Sequence, residues 1–325
     1  MSRLLTRVGA PPFDPEALRS GLAPWSAGSA GAEALGSYLA HYGLADLGAG
    51  GAVHRAGRLT VGAEGIAVQQ FLPPSPRAVL VLVHGLFDHA ALWRHQIRWA
   101  LETDLAVVAF DLPGHGLSSG APAHVETFAR YVDALRAVLE AAAAPLGLPV
   151  FAMGQSTGGS VLMEYLLGGH TEAGPALEDL TLVAPLVRPR AWAFGRPLLR
   201  VAGPFLGSLP RAFYGNTRDP AFNRFQREAD PLQPRALPVS WLRAMDRWLH
   251  RFDLHVPHAL APLVVQGTAD RTVDWRHNLG VIGEKFGAPE VVLLEGAEHN
   301  LMNEIEPARA ALQEALARRI EARLS

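Results

Sequence analysis

The chain has 325 residues, nearly half of them hydrophobic, and a formal net charge of −2. That balance gives no electrostatic footprint for nucleic acid. The absence of cysteine excludes disulfides, thiolate nucleophiles and cysteine-held metals. The first residues, MSRLLTRVGAPPFDPEALRSG, hold no continuous apolar stretch of signal-peptide kind. No window approaches the roughly 18 apolar residues of a spanning helix. The expectation is therefore a cytoplasmic protein. Lys285 is the only lysine, which with the abundant alanine reads as a composition bias and not as function.

Residues 1–52 are rich in Gly, Ala, Ser and Pro and read as a surface extension with one helix near 32–42. Two β-like runs follow, near 53–61 and 66–72, closed by PPSP. A repeating unit then begins. AVLVLV (78–83) precedes a helix near 91–102, AVVAF (106–110) a helix near 125–143, and PVFAM (149–153) a helix near 157–168. DLTLVA (179–184) leads into a long irregular stretch. PLVVQ (262–266) precedes a helix near 275–286, and EVVLLE (290–295) a final helix near 305–323. Apolar runs rich in Val and Leu, each followed by a helical pattern, predict strands buried on both faces of a mostly parallel sheet. Right-handed crossovers place helices on both of its sides, giving an α/β fold.

Residues 185–255 break the rhythm with many prolines and aromatics, among them Trp192, Phe194, Phe205, Trp241 and Trp248. The break follows a strand end, where insertions are tolerated and ligands bind. It reads as a mostly helical cap over the carboxyl edge of the sheet; a packing extension without a binding role is the alternative. The expected organisation is an extension over 1–52, an α/β core from 53–187 and 256–325, and a cap over 188–255. Within the cap, AWAFGRPLLRVAGPFLG (191–207) is apolar enough to line an acyl tunnel, to touch a lipid surface or simply to pack inward.

Ser156 stands in AMGQSTGG (152–159), between a predicted strand and a predicted helix. A sharp strand-to-helix turn leaves no room for side chains two residues before and after it, and Gly154 and Gly158 meet that demand as G-x-S-x-G. Such a turn lifts the hydroxyl above the sheet and aims the first N–H groups of the helix at a ligand. A serine hydroxyl needs a base and an orienting acid to act as a nucleophile. VVQGTADRTVD supplies Asp270 after one strand and VVLLEGAEHNLMNE supplies His299 after the next, so the order is Ser156, Asp270, His299. Asp274 is a rival for the acid, lying further from the strand end. An oxyanion hole needs two N–H donors. Thr157, after the serine, and Leu86, in HGLFDH (84–89), are the candidates. Candidate substrate-binding side chains are Phe87, Trp192 and Phe194. His255 and His258 form an H-x-x-H pair beside Pro257 without carboxylate spacing, so no metal site is assigned.

Four motifs occur in order: HGLFDH, DLPGHGLSSG, GQSTGG, and GTADRTV with GAEHNLMNE. In them the chain resembles the monoacylglycerol lipase and lysophospholipase group of α/β-hydrolases, over roughly residues 66–325. In the cap, NTRDPAFNRFQREADPLQP and PVSWLRAM are similar to the bacterial lysophospholipase branch. The resemblance implies the α/β-hydrolase fold with an inserted helical cap. It implies Ser156 as nucleophile, Asp270 and His299 as its partners, and Leu86 and Thr157 as oxyanion donors. The triad chemistry needs no metal or organic cofactor; the expected substrate is a small-molecule or lipid ester, the apolar cap segment 191–207 favouring a single-chain lipid and transient contact with a membrane surface. The usual Met after the nucleophile is Thr157 here, a change without effect if only its N–H is used. A small-ester esterase, an acyltransferase, a perhydrolase or a peptidase remain alternatives on the same triad, while Ser156 argues against dehalogenases and epoxide hydrolases, which carry Asp there.

Overall fold

The computed structural model describes residues 13–27, 32–172, 174–211 and 213–325. Among these residues ten strands fall in chain order: β1 Val53–Val61, β2 Glu64–Leu72, β3 Ala78–Val83, β4 Leu105–Phe110, β5 Val150–Gln155, β6 Asp179–Val183, β7 Ser208–Pro210, β8 Ala236–Pro238, β9 Leu263–Gly267 and β10 Glu290–Leu294. Ten α-helices accompany them: α1 Pro15–Gly21, α2 Ala32–His41, α3 Arg94–Glu102, α4 Ala129–Val138, α5 Thr157–Leu167, α6 Trp192–Ala202, α7 Pro220–Glu228, α8 Val239–Leu254, α9 Trp275–Lys285 and α10 Glu306–Leu324.

Eight strands form one sheet in the order β1-β2-β4-β3-β5-β6-β9-β10. β1 with β2 and β2 with β4 run antiparallel, and every later pairing is parallel. The alternation of side chains along each strand divides the interior in two. In β3, Leu80 and Leu82 enter one core while Val79, Val81 and Val83 enter the other. In β5, Phe151 and Met153 oppose Val150 and Ala152 in the same way. The first core is closed by α1, α2, α3 and α10, the second by α4, α5 and α8 with part of α9. All eleven residues of α5 are buried, its polar Ser160 and Glu164 being satisfied by hydrogen bonds to Leu186 O and from Trp248 Nε1.

One sequence expectation changes. The segment read as a surface extension supplies Phe13, Leu18, Leu35, Tyr38, Tyr42 and Leu44 to the first core. Apolar side chains spaced along α2 have a place to go, because α2 lies against α7 of the cap through His41, Tyr42 and Phe225. Residues 1–12 and 28–31 of that segment lie outside the described residues. The cap segment packs onto the α/β core. It contains the short antiparallel pair β7/β8, and its helix α8 buries Trp241, Met245, Trp248 and Phe252 in the second core. Glu164 of α5 accepts from Trp248 Nε1 at 2.9 Å and meets Arg251 and His255. Among the described residues, no helix is long and apolar enough to cross a membrane.

Candidate active site

The carboxyl ends of β3, β5, β9 and β10 carry the residues picked out by sequence. Ser156 sits between β5 and α5 at φ 51°, ψ −114°, outside the regions that side chains favour, a strain of about 1–3 kcal/mol. The glycines around it are required. A Cβ on Gly154 would lie 2.6 Å from the Gly158 carbonyl group, and one on Gly158 would fall on the Val83 carbonyl. The elbow is held by Ser156 N donating to Val183 O at 2.9 Å and by Leu186 N donating to Ser156 O at 3.1 Å.

Asp270 follows β9 and is saturated. Its Oδ1 accepts from Thr272 N at 2.7 Å and Val273 N at 3.1 Å; its Oδ2 accepts from Gln266 Nε2 at 3.1 Å and pairs with His299 Nδ1 at 2.7 Å. Burial opposes charge on both partners. Their mutual attraction outweighs it, so the Asp270 carboxyl sits below, and the His299 imidazole above, its ordinary pKa. The His299 loop packs tightly on the end of β9, where a Cβ on Gly267 would strike the Ala297 and Glu298 carbonyls. Asp274, the rival acid, is taken by Arg188, with contacts of 3.0 and 2.6 Å.

The His299 loop then reaches the segment that follows β3, where Asn303 Nδ2 donates to Leu92 O at 3.2 Å. Residues 85–88 in turn adjoin the elbow, because a Cβ on Gly85 would lie 3.2 Å from Ser156 Cβ. The structure records no direct hydrogen bond between Ser156 Oγ and His299; such contacts often tighten only around substrate.

Of the two candidate oxyanion donors, Thr157 directly follows Ser156 and Leu86 follows Gly85, whose backbone closely approaches Ser156. Thr157 opens α5, where an N–H has no acceptor inside the helix. Leu86 lies in a turn closed by Asp88 N donating to Gly85 O at 3.1 Å, with Phe87 at φ 70°. A bulky residue in the left-handed region is a genuine outlier. His84, buried at the base of this turn, bonds Gly85 O through Nδ1 at 2.8 Å and accepts from Leu112 N through Nε2 at 2.9 Å. Burial keeps it neutral, with a pKa well below the ordinary value, so its role is to hold the turn. DLPGHGLSSG does likewise: Asp111 accepts from Ala90 N and Leu117 N at 2.7 Å each.

The candidate substrate contacts separate. Phe87 is half-buried beneath Arg211, whose guanidinium lies 4.2 Å from its ring centre. Trp192 packs against the second core. Phe194 is 84% exposed and lies in an outward stripe with Leu198, Val201 and Phe205. Of the tunnel, surface and packing readings of 191–207, the tunnel and packing ones fail for this exposed face. His255 and His258 go to different partners, Glu164 and Leu260 N.

Sequence reasoning passed over a buried polar cluster beside the turn. His89 Nε2 meets Asp230 Oδ2 at 3.0 Å, Tyr42 Oη donates to Asp230 Oδ1 at 2.7 Å, and Gln226 Nε2 donates to Asp88 Oδ1 at 3.1 Å. Burial pushes Asp88 up to about 6. Asp230, despite its burial, is brought down to about 2 by the His89 charge and its hydrogen bonds. The signal was present in HGLFDH and QREADPLQP, but nothing local joins those stretches.

A parallel sheet with a helical insertion, a strained serine elbow and an Asp–His pair at later strand ends define an α/β-hydrolase. The chain belongs to the Serine aminopeptidase, S33 family, whose model matches residues 74–306. It is 28% identical over 242 residues to human monoglyceride lipase, covering 71% of this chain and 78% of that protein. It is 31% identical over 110 residues to phospholipase YtpA of Bacillus subtilis, but that match spans 34% of this chain and 41% of YtpA. Among solved structures it resembles the monoacylglycerol lipase of Paleococcus ferrophilus, with a TM-score of 0.66, 22% identity, and coverage of 80% of this chain and 98% of that one. A soluble variant of the Saccharomyces cerevisiae monoglyceride lipase gives a TM-score of 0.72 at 14% identity over 82% and 95%. The resemblance to the monoacylglycerol lipase group holds, and the fold agrees with it.

Proposed function

We propose that the protein is a serine-dependent carboxylic ester hydrolase acting on a single-chain lipid ester such as a monoacylglycerol or lysophospholipid. The observation that carries this reading is the buried His299–Asp270 pair at the carboxyl ends of β10 and β9, in the same sheet whose β5 ends in the strained Ser156 elbow. In the reaction, Ser156 Oγ attacks the ester carbonyl while His299 Nε2 takes its proton. Asp270 keeps Nδ1 protonated and stabilises the imidazolium. The Leu86 and Thr157 N–H groups receive the oxyanion, a contribution of about 3–4 kcal/mol per donor to the barrier. His299 returns the proton to the leaving alcohol and then activates water, which releases the acid and frees Ser156.

The lipid part of the reading is supported by the lipases and phospholipase among the relatives and by the outward stripe of Phe194, Leu198, Val201 and Phe205. Burying such side chains in a lipid surface gains about 1.5–3 kcal/mol each. The test is an activity panel of monoacylglycerols, lysophospholipids, acetyl and butyryl esters, and aminoacyl p-nitroanilides, with fluorophosphonate labelling of Ser156. Long-chain turnover with Ser156 labelled is expected. Activity confined to short esters removes the lipid assignment; turnover of the anilides alone removes the esterase.

A further inference from the structure

Three consecutive residues of the oxyanion turn are each gripped by a different residue of the cap. The Arg211 guanidinium lies over Phe87, Gln226 donates to Asp88, and Asp230 pairs with His89. Asp88, His89 and Asp230 are buried, and Tyr42 secures Asp230 from the far side. Gln233 secures both anchors, donating to Asp230 at 2.9 Å and accepting from Arg211 Nη1 at 2.6 Å. The middle of the turn, Phe87, is the residue with φ 70°. A conformation of that kind persists only when its surroundings hold it.

We infer that Arg211, Gln226 and Asp230 are positioning residues: through Phe87, Asp88 and His89 the cap holds the turn in the form that presents the Leu86 N–H to the oxyanion. The inference rests on the proposed roles of Ser156 and Leu86. The cap then affects the chemical step as well as access, and it does so by way of the turn. Contacts that merely fastened the cap would change substrate affinity or thermal stability and leave the step itself alone.

The test uses the full chain and p-nitrophenyl butyrate, too short to report on an acyl tunnel. Gln226→Leu and Arg211→Met are each expected to lower kcat about tenfold, a fraction of a lost donor, with KM within about twofold. Glycine adopts positive φ without strain. Phe87→Gly placed on Gln226→Leu is therefore expected to recover kcat several-fold, a rescue that loss of cap packing cannot produce. A change confined to KM overturns the inference, as does a kcat loss that Phe87→Gly leaves untouched. If either single variant fails to fold, the other carries the comparison. Turnover retained by Ser156→Ala strikes instead at the nucleophile assignment, and takes the inference with it.

Discussion

His299 Nδ1 and Asp270 Oδ2 stand 2.7 Å apart, and their side chains are almost fully removed from solvent. The pair fixes the tautomer: with Nδ1 committed to the carboxylate, Nε2 is the nitrogen left to exchange protons. Its energetics set the pH behaviour. The raised His299 pKa means that the neutral base is lost as pH falls through a value above the ordinary 6.5. The acid limb of kcat/KM is therefore expected above that value. Asp270→Asn removes the charge that raises it, so the limb of the residual activity should move to lower pH, with kcat down about 10⁴-fold. A pH–rate profile of both proteins decides it; an unmoved limb counts against Asp270.

Ser156→Gly separates strain from chemistry. Glycine accepts φ 51° at no cost, so the variant should gain about 1 kcal/mol in urea unfolding. Turnover should fall at least about 10⁴-fold. A variant with lower stability would show that the elbow is not strained.

Asp230→Asn should cost about 3–5 kcal/mol, since it leaves the His89 imidazolium buried without its partner. The sign with pH follows from the pair. Asp230, depressed to about 2 from 3.8, contributes fully above its unfolded value, and that part is lost as pH falls toward 2. His89, whose pKa is raised, loses its share as pH rises through that raised value. The gap between wild type and variant should be widest between those limits. Denaturant melts at pH 3, 6 and 9 measure it, and an equal gap at all three would contradict the pairing.

Leu198→Ser with Phe205→Ser removes two exposed apolar side chains from the outward stripe. Partitioning onto phosphatidylcholine vesicles should fall at least about tenfold, given roughly 1.5 kcal/mol or more per side chain. Thermal stability should stay within about 0.5 kcal/mol, as for other surface changes. Unaltered partitioning in a flotation assay would mean that the stripe meets no lipid.

What the sequence reveals follows the range of the interactions involved. Val- and Leu-rich runs announce β3 to β6 and β9 because burial on both faces is written into each segment alone; β10 is recognised by the same kind of run, but as the edge strand it leaves Val291 and Leu293 exposed, against the expectation of two buried faces. Ser156, Asp270 and His299 are legible for the same reason: each follows a recognisable strand. Tyr42, His89 and Asp230 are not, since their contacts span 141 and 188 residues and no local pattern encodes them. The α2 segment is misread as surface because its alanines and glycines mask Tyr38 and Tyr42, whose burial depends on the partner that arrives from the cap.

The division of β3 between two cores has a consequence for accuracy at the reaction centre. A slip of one residue would send Leu80 and Leu82 into the compartment shaped for Val79, Val81 and Val83, and those valines into the space left by leucines. Neither compartment tolerates the exchange of volumes, and β4 and β5 bind the strand on both flanks. The point at which the chain leaves the sheet for His84 and Leu86 is thereby indexed to a single residue by packing several ångströms below the chemistry.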